Sequence, residues 1–416
     1  MSAMPTSTVS GAVPSAGTAA QAASMPPRVP LWLLALFTFS GTLAMHIFVP
    51  ALALASADLH ASSSAMQMTV SLYILGLALG QLVYGPLADR FGRRPILMVG
   101  LSIYTVAGVV AMVAPDAYSL IAARLFQALG GCAGLVLGRA IVRDTALPAQ
   151  AAKRLALMNL MVTLGPGAAP ILGALLAGSL GWRSIFVVLT LLGVVNLVLA
   201  WRMLPETGTA NMNVSAATFV RHYKHLLRSP AFLGFAVGGG AATTSMYAFI
   251  ASAPFIFSGQ MHRPPGEVGL YLAILVSGVW VGSMLTGWLI ARVPLNRLMV
   301  GANLISVVGA VIFLVVVLSD RMTPIWVIAP MFLFTVGAGV ASPAALTQAV
   351  SVDPLVIGSA SGLYGFVQMA VGALCTAVVG FGSSPALSAA LALVGAGIVA
   401  QAAFWVALRQ PALNRH

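Results

Sequence analysis

The chain has 416 residues, of which 60% are hydrophobic and only 7% charged, where a soluble domain averages about 25% charged; this excludes an ordinary soluble enzyme and points to a polytopic membrane protein. The net charge of +12 forms no basic stripe, because the arginines are scattered over short connections, so a nucleic-acid partner is excluded and the charge reads as topology. There is no phosphate loop with lysine, no metal-ligand spacing and no soluble nucleotide domain, so no cofactor, no metal and no ATP-driven or other enzymatic chemistry is expected.

Residues 1–28 are rich in Ala, Ser, Thr, Pro and Gly, lack the basic start and apolar core of a signal peptide, and are expected to be a disordered cytoplasmic tail. Beyond them, a helix needs about 20 apolar residues to cross a core roughly 30 Å thick, and that ruler gives about twelve spans. They lie near 31–53, 68–84, 96–113, 118–141, 155–180, 184–203, 231–257, 269–291, 298–318, 324–350, 358–381 and 385–408. The expected fold is therefore all-α, with twelve transmembrane helices. Cys132 and Cys375 each fall inside a span and are expected to be free, buried thiols.

The connection after the second span, Gly85 to Pro95, reads as a tight charged turn. Gly85 and Gly92 allow close approach and positive φ, Pro95 suits a first helical turn, and Arg90, Arg93 and Arg94 resist translocation. Nearly all the other basic residues fall on the same face of this twelve-span arrangement, which places both termini in the cytoplasm. The longest polar connection divides the spans six and six. The expected units are a first half over 29–204, a central cytoplasmic loop over 205–230, a second half over 231–409 and a tail over 410–416. The loop cluster Arg221, His222, Lys224, His225 and Arg228 reads as a tether or as a short helix on the inner leaflet. Gly76, Gly80, Gly85, Leu87 and Arg90 recur at one constant offset as Gly278, Gly282, Gly287, Leu289 and Arg292. This repeat implies two pseudo-symmetric six-helix halves with a substrate site between them near midplane.

Charge inside hydrocarbon is expensive, so an ionisable residue there is a functional candidate. All eight acids sit at or near span ends, which leaves His46 and Arg124. At about 1.5 Å per residue His46 lies roughly 24 Å from the start of its span and Arg124 about 9 Å from the outer start of its own. Both fall in the outer half and could face one cavity, where protonation of His46 would couple to movement of Arg124 or of substrate. The alternative is a histidine that only hydrogen-bonds a neighbouring helix. Phe48, Gln127, Tyr247 and Gln368 are further candidates for a cavity wall, or else ordinary core and lipid-facing side chains.

Several of these stretches carry a family resemblance. Gly85-Pro86-Leu87-Ala88-Asp89-Arg90-Phe91-Gly92-Arg93-Arg94 resembles the signature between the second and third helices of major facilitator superfamily transporters. Arg124-Leu125-Phe126-Gln127-Ala128-Leu129-Gly130 is similar to its fourth-helix motif, whose arginine is associated with proton transfer. The stretch from Gly165 through Pro166, Pro170 and Gly173 is similar to the fifth-helix antiporter motif, which implies efflux. Met45 to Leu52, Gly138 to Asp144 and Ala251 to Ile256 most resemble the Bcr/CflA branch of drug-resistance transporters. The resemblance implies that Asp89 meets the start of the eleventh helix near Gly358 while Asp144 pairs with the arginines of the turn. Where that branch carries a first-helix aspartate this chain has His46, which can titrate but offers no negative charge. The expectation is a monomeric inner-membrane protein embedded in lipid, exchanging protons for small hydrophobic, neutral or weakly anionic drug-like substrates such as amphenicols. The rival expectation is a transporter of a small metabolite, uncoupled or proton-linked; a non-transporting sensor and a channel are the other classes considered.

Overall fold

The structure, a computed structural model, describes residues 29–146, 148–208, 216–353, 356–382 and 384–410. The tail expected over 1–28, and that expected over 410–416 apart from its first residue, lie outside the described residues.

The first half comprises α1 (Leu31–Ile47), a 3-10 turn (Val49–Ala51), α2 (Leu52–Asp58), α3 (Ser63–Phe91), α4 (Arg93–Met112), α5 (Ala117–Thr145), α6 (Pro148–Leu180) and α7 (Arg183–Met203). A short α8 (Ala216–Leu227) follows. The second half comprises α9 (Pro230–Thr243), α10 (Met246–Pro254), a π-helical turn (Phe255–Gln260), α11 (Pro265–Leu289), α12 (Leu295–Leu318), α13 (Pro324–Ser351), α14 (Ile357–Gly380) and α15 (Pro385–Arg409). Among the described residues every regular element is helical, and eleven stretches are long and apolar enough to cross a membrane. The remaining rod, α6, is a 33-residue helix whose described apolar part is Gly165–Leu180.

Local chemistry sets the ends. The Ser62, Ser229 and Ser384 hydroxyls accept amides of α3, α9 and α15, and Asp116 with Ser119 forms a capping box on α5. Pro265, Pro324 and Pro385 open their helices at positions where a missing N–H costs nothing. Three expectations need correction. The first span is not one helix: Pro50 cannot donate back to His46 and its ring crowds that carbonyl, so the α-helix stops at Ile47 and tightens into the 3-10 turn. The seventh span breaks likewise between Thr243 and Met246 and ends in the π turn after Pro254. The charged turn is shorter than its motif, since α3 continues through Pro86 to Phe91 and only Gly92, at φ +97°, makes the reversal. Gly85 allows no close approach; a methyl there would meet nothing within 4 Å.

The packing follows the repeat. In the first half α5 packs against α1, α3 and α4; in the second, α13 packs against α9, α11 and α12. A methyl on Gly76 would press on the Leu125 carbonyl of α5 at 2.7 Å, and one on Gly278 would collide with Thr335 of α13. The paired glycines therefore sit at equivalent contacts, where small residues let helices approach. The halves meet along two seams, α3 with α14 and α6 with α11, which a pseudo-two-fold axis exchanges. Cys132 is buried beside the Leu77 carbonyl, whereas Cys375 is only partly buried.

Candidate functional site

The break after α1 brings one group of predicted residues to the junction of the halves. His46 is buried, its Nδ1 2.9 Å from the Thr42 carbonyl, and its ring faces Tyr247 of α10 with centroids 6.1 Å apart. Tyr247 stands at the first turn after the break in the other half, so two helix interruptions face each other across the seam. Near them Gln67 Nε2 reaches Ser252 Oγ of α10 at 3.5 Å, and Ser64 of α3 donates to the Gly380 carbonyl of α14. These bonds close the junction towards the face that carries few arginines.

Arg124 does not share a cavity with His46. Its guanidinium is fully buried inside the first half, where Nη2 donates to the Ala44 carbonyl at 2.9 Å and Nη1 to Gln127 Oε1 at 2.7 Å. It stacks 4.0 Å from the centroid of Tyr73, with Phe48 and Phe186 rings at 5.6 and 5.9 Å. Aromatic faces and a carbonyl take the place of a counter-anion. Arg124 thus holds α1 at Ala44 from within the first half, while His46, two residues further on, is turned to Tyr247 of the second. Two of the expected wall residues point elsewhere: Phe48 is fully buried against Trp182 and Phe186, and Gln127 is spent on Arg124. Gln368 of α14 braces the other break, its Nε2 donating to Thr243 Oγ1 at 2.9 Å while its carbonyl accepts from Thr244 at 2.6 Å.

The antiporter-motif helix α6 runs between α1 and α11. Gly165 lies under the Phe39 ring, Gly173 against the Ile47 carbonyl, and the Pro170 carbonyl is 2.7 Å from where a methyl on Gly269 would be. Pro166, one residue beyond Gly165, and Pro170 both lie within this helix. The motif's small residues therefore seat α6 against the interrupted end of α1.

A second group gathers on the arginine-rich face. Arg93 bonds Asp89 at 2.6 Å and Asp144 at 3.0 Å, joining α3, α4 and α5. Arg94 donates to the Trp201 carbonyl at 2.7 Å, while Arg90 lies over Phe91. Glu206 was not foreseen here. Its carboxylate accepts the backbone amides of Arg93 and Arg94 at 2.8 and 3.2 Å, capping α4 from beyond the end of α7. Asp89 and Gly358 stand on opposite walls of one cavity of about 420 Å³ and do not bond each other directly. Part of its roof is α8. Pro86 leaves the Leu82 carbonyl without its helical donor, and the Tyr223 hydroxyl supplies one at 3.4 Å. Burial and the Asp89 carboxylate raise the pKa of Tyr223, so the hydroxyl keeps its proton. From the same helix His222 contacts Ser359 at 3.4 Å and His225 reaches Asp353 at 3.2 Å. The central connection is therefore a strap that touches both halves, rather than a bare tether.

Residues 34–376 match the family model of the Major Facilitator Superfamily. An uncharacterized transporter of Rickettsia bellii (strain RML369-C) is 30% identical over 85% of this chain and 89% of its own. A protein of Yersinia pestis bv. Antiqua (strain Angola) named multidrug transporter MdfA is 25% identical, covering 81% of this chain and 83% of its own. Among solved structures, a D-xylose–proton symporter superposes with a TM-score of 0.70 at 15% identity, over 92% of this chain and 97% of that one, which is likeness of fold.

Proposed function

The chain belongs to the Major Facilitator Superfamily, a family of membrane transporters rather than enzymes, and on that premise we propose that it exports small hydrophobic, neutral or weakly anionic drug-like compounds from the cytoplasm in exchange for protons. The arginine-rich face is then the cytoplasmic side of the inner membrane, with both termini on it. The two halves rock about their seams, exposing the junction to each side in turn.

One observation carries the coupling. His46 is a buried imidazole at the interruption of α1, turned towards the other half, while the eight acids of the chain lie at or near helix ends. Imidazole titrates near neutrality, and a change of charge on it alters the free energy of holding the halves together around Tyr247. A cationic imidazole also disfavours cationic cargo, hence the neutral and weakly anionic preference. Efflux is supported by the proline and glycine pattern of α6 and by the relative named as a multidrug transporter.

The test is transport of a neutral amphenicol by purified protein in liposomes with an imposed pH gradient and a pH-reporting dye. Accumulation against the drug gradient with proton counterflow is the expected result. Drug movement that only dissipates its own gradient, without a proton signal, would leave a facilitator. The second reading, a metabolite carrier, draws on the missing first-helix carboxylate, and it predicts that a panel of cationic, neutral and anionic drugs all fail to move.

A further inference from the structure

The cavity on the arginine-rich face holds charge beyond the ion pairs that Arg93 makes with Asp89 and Asp144. Its walls come from α3, the start of α4, α5, α8 and the start of α14. Five formally charged residues line it: Asp89, Arg93, Asp144, Arg139 and Arg143. Both acids are engaged by Arg93. Arg139 and Arg143, one turn apart on α5, have neither an ion pair nor a side-chain hydrogen bond among the described residues, and both are exposed although the helix around them is packed, because what they face is the cavity. Each guanidinium therefore presents N–H donors to that space which no acceptor among the described residues claims.

The opposite wall points the same way. The 24-residue α14 starts at Ile357 without a side-chain cap, so its first amides face the cavity unclaimed by helix geometry. A methyl added at Gly358 would meet nothing within 4 Å, so there is open space before that terminus, and the hydroxyls of Ser359 and Ser361 flank it. His222 also lines the space, its Nδ1 turned to Ser359. Summed over the five charges the cavity carries +1, which one monoanion neutralises.

We propose that this cavity binds a monoanionic oxyanion, a phosphate-type or carboxylate group, clamped between the guanidinium groups of Arg139 and Arg143 on one half and the start of α14 on the other. Arginine forks suit the planar or tetrahedral oxygens of such groups, and the helix terminus supplies amides. Bound there, the anion ties α5 to α14 and so favours the state in which the two halves are closed on this face. The inference is independent of which compound is exported. The same chemistry can arrive as a free anion or as the phosphodiester of a lipid headgroup.

The experiment is modification of arginines by phenylglyoxal in the full-length protein reconstituted in phosphatidylcholine vesicles, mapped by mass spectrometry, with Arg409 as the reference site. At constant ionic strength, replacing chloride by inorganic phosphate is expected to slow modification of Arg139 and Arg143 by about tenfold once phosphate stands tenfold above its Kd, while Arg409 is unaffected. Protection that appears only when phosphatidylglycerol is added to the vesicles assigns the site to a lipid headgroup. Absence of protection in both conditions, or equal slowing at Arg409, overturns the site. None of these outcomes depends on transport, so a failure of drug efflux and a failure of the anion site are read separately.

Discussion

At the scale of single residues the protein separates two jobs that its sequence made look like one. His46 and Arg124 fall at similar calculated depths, but depth along a helix says nothing of rotation about it: Arg124 reaches from α5 to the Ala44 carbonyl inside the first half, while His46 faces Tyr247 of the second. His46→Ala is expected to abolish proton-driven drug accumulation in liposomes while the protein still inserts; undiminished accumulation would remove His46 from the coupling. Arg124→Lys keeps the charge but loses the flat stack on Tyr73 and one of two neutral acceptors, the Ala44 carbonyl or Gln127. It is expected to destabilise the protein by about 1–3 kcal/mol, read as a lower Tm in detergent, and an unchanged Tm would show the stack to be dispensable. Glu206 was illegible for a different reason. A carboxylate at the end of one helix gives no sign in sequence that it caps the start of another 112 residues away.

At the scale of elements, hydropathy located every span, because twenty apolar residues leave little freedom in what they can be. It could not locate the breaks in the first and seventh spans, because apolar sequence continues through Phe48 to Ala51 and because the polar run Thr243 to Ser245 is too short to interrupt an otherwise apolar stretch. Pro50 was the visible signal for one of them; the second has no proline at its break, only the threonines that Gln368 braces. The function of α6 can be tested against its own neighbours. A methyl at Gly173 overlaps the Ile47 carbonyl, whereas one at Gly178 meets nothing within 4 Å. Gly173→Ala is therefore expected to lower the transport rate at least as much as about 1 kcal/mol of strain at the α1 break implies, near fivefold, and Gly178→Ala to leave it unchanged. Equal rates for the two would disconnect α6 from the break. At the charged turn, Asp89→Asn removes one of the two anions on Arg93; if this cluster governs switching between states, slower turnover with drug affinity retained is expected, and a loss of affinity alone would contradict that role.

At the scale of the whole molecule, the constant offset of the repeated glycines was enough to read the pseudo-two-fold, since those glycines occupy the same contacts in each half. What the repeat could not convey is which side is closed. The bonds from Gln67 to Ser252 and from Ser64 to Gly380 join the halves on the face away from the arginines. If the halves rock, these bonds must part in every cycle. Cysteines placed at 67 and 252 and joined by a short bismaleimide are expected to stop efflux; transport that continues after complete cross-linking would refute rocking about the seams.

The strap has a bearing on how such a protein could have been assembled by duplication. The hydroxyl of Tyr223, which completes the α3 backbone beside Pro86, is carried on the segment that leads into the second half. The halves are consequently not interchangeable modules, for the first, expressed by itself, carries an open acceptor in its second span. A gene cut after Gly208 would deliver the missing donor with the second polypeptide, and the fragments would have a specific reason to find each other. A cut at Ser229 would strand the donor on the first fragment, which could then satisfy itself and lose one incentive to pair.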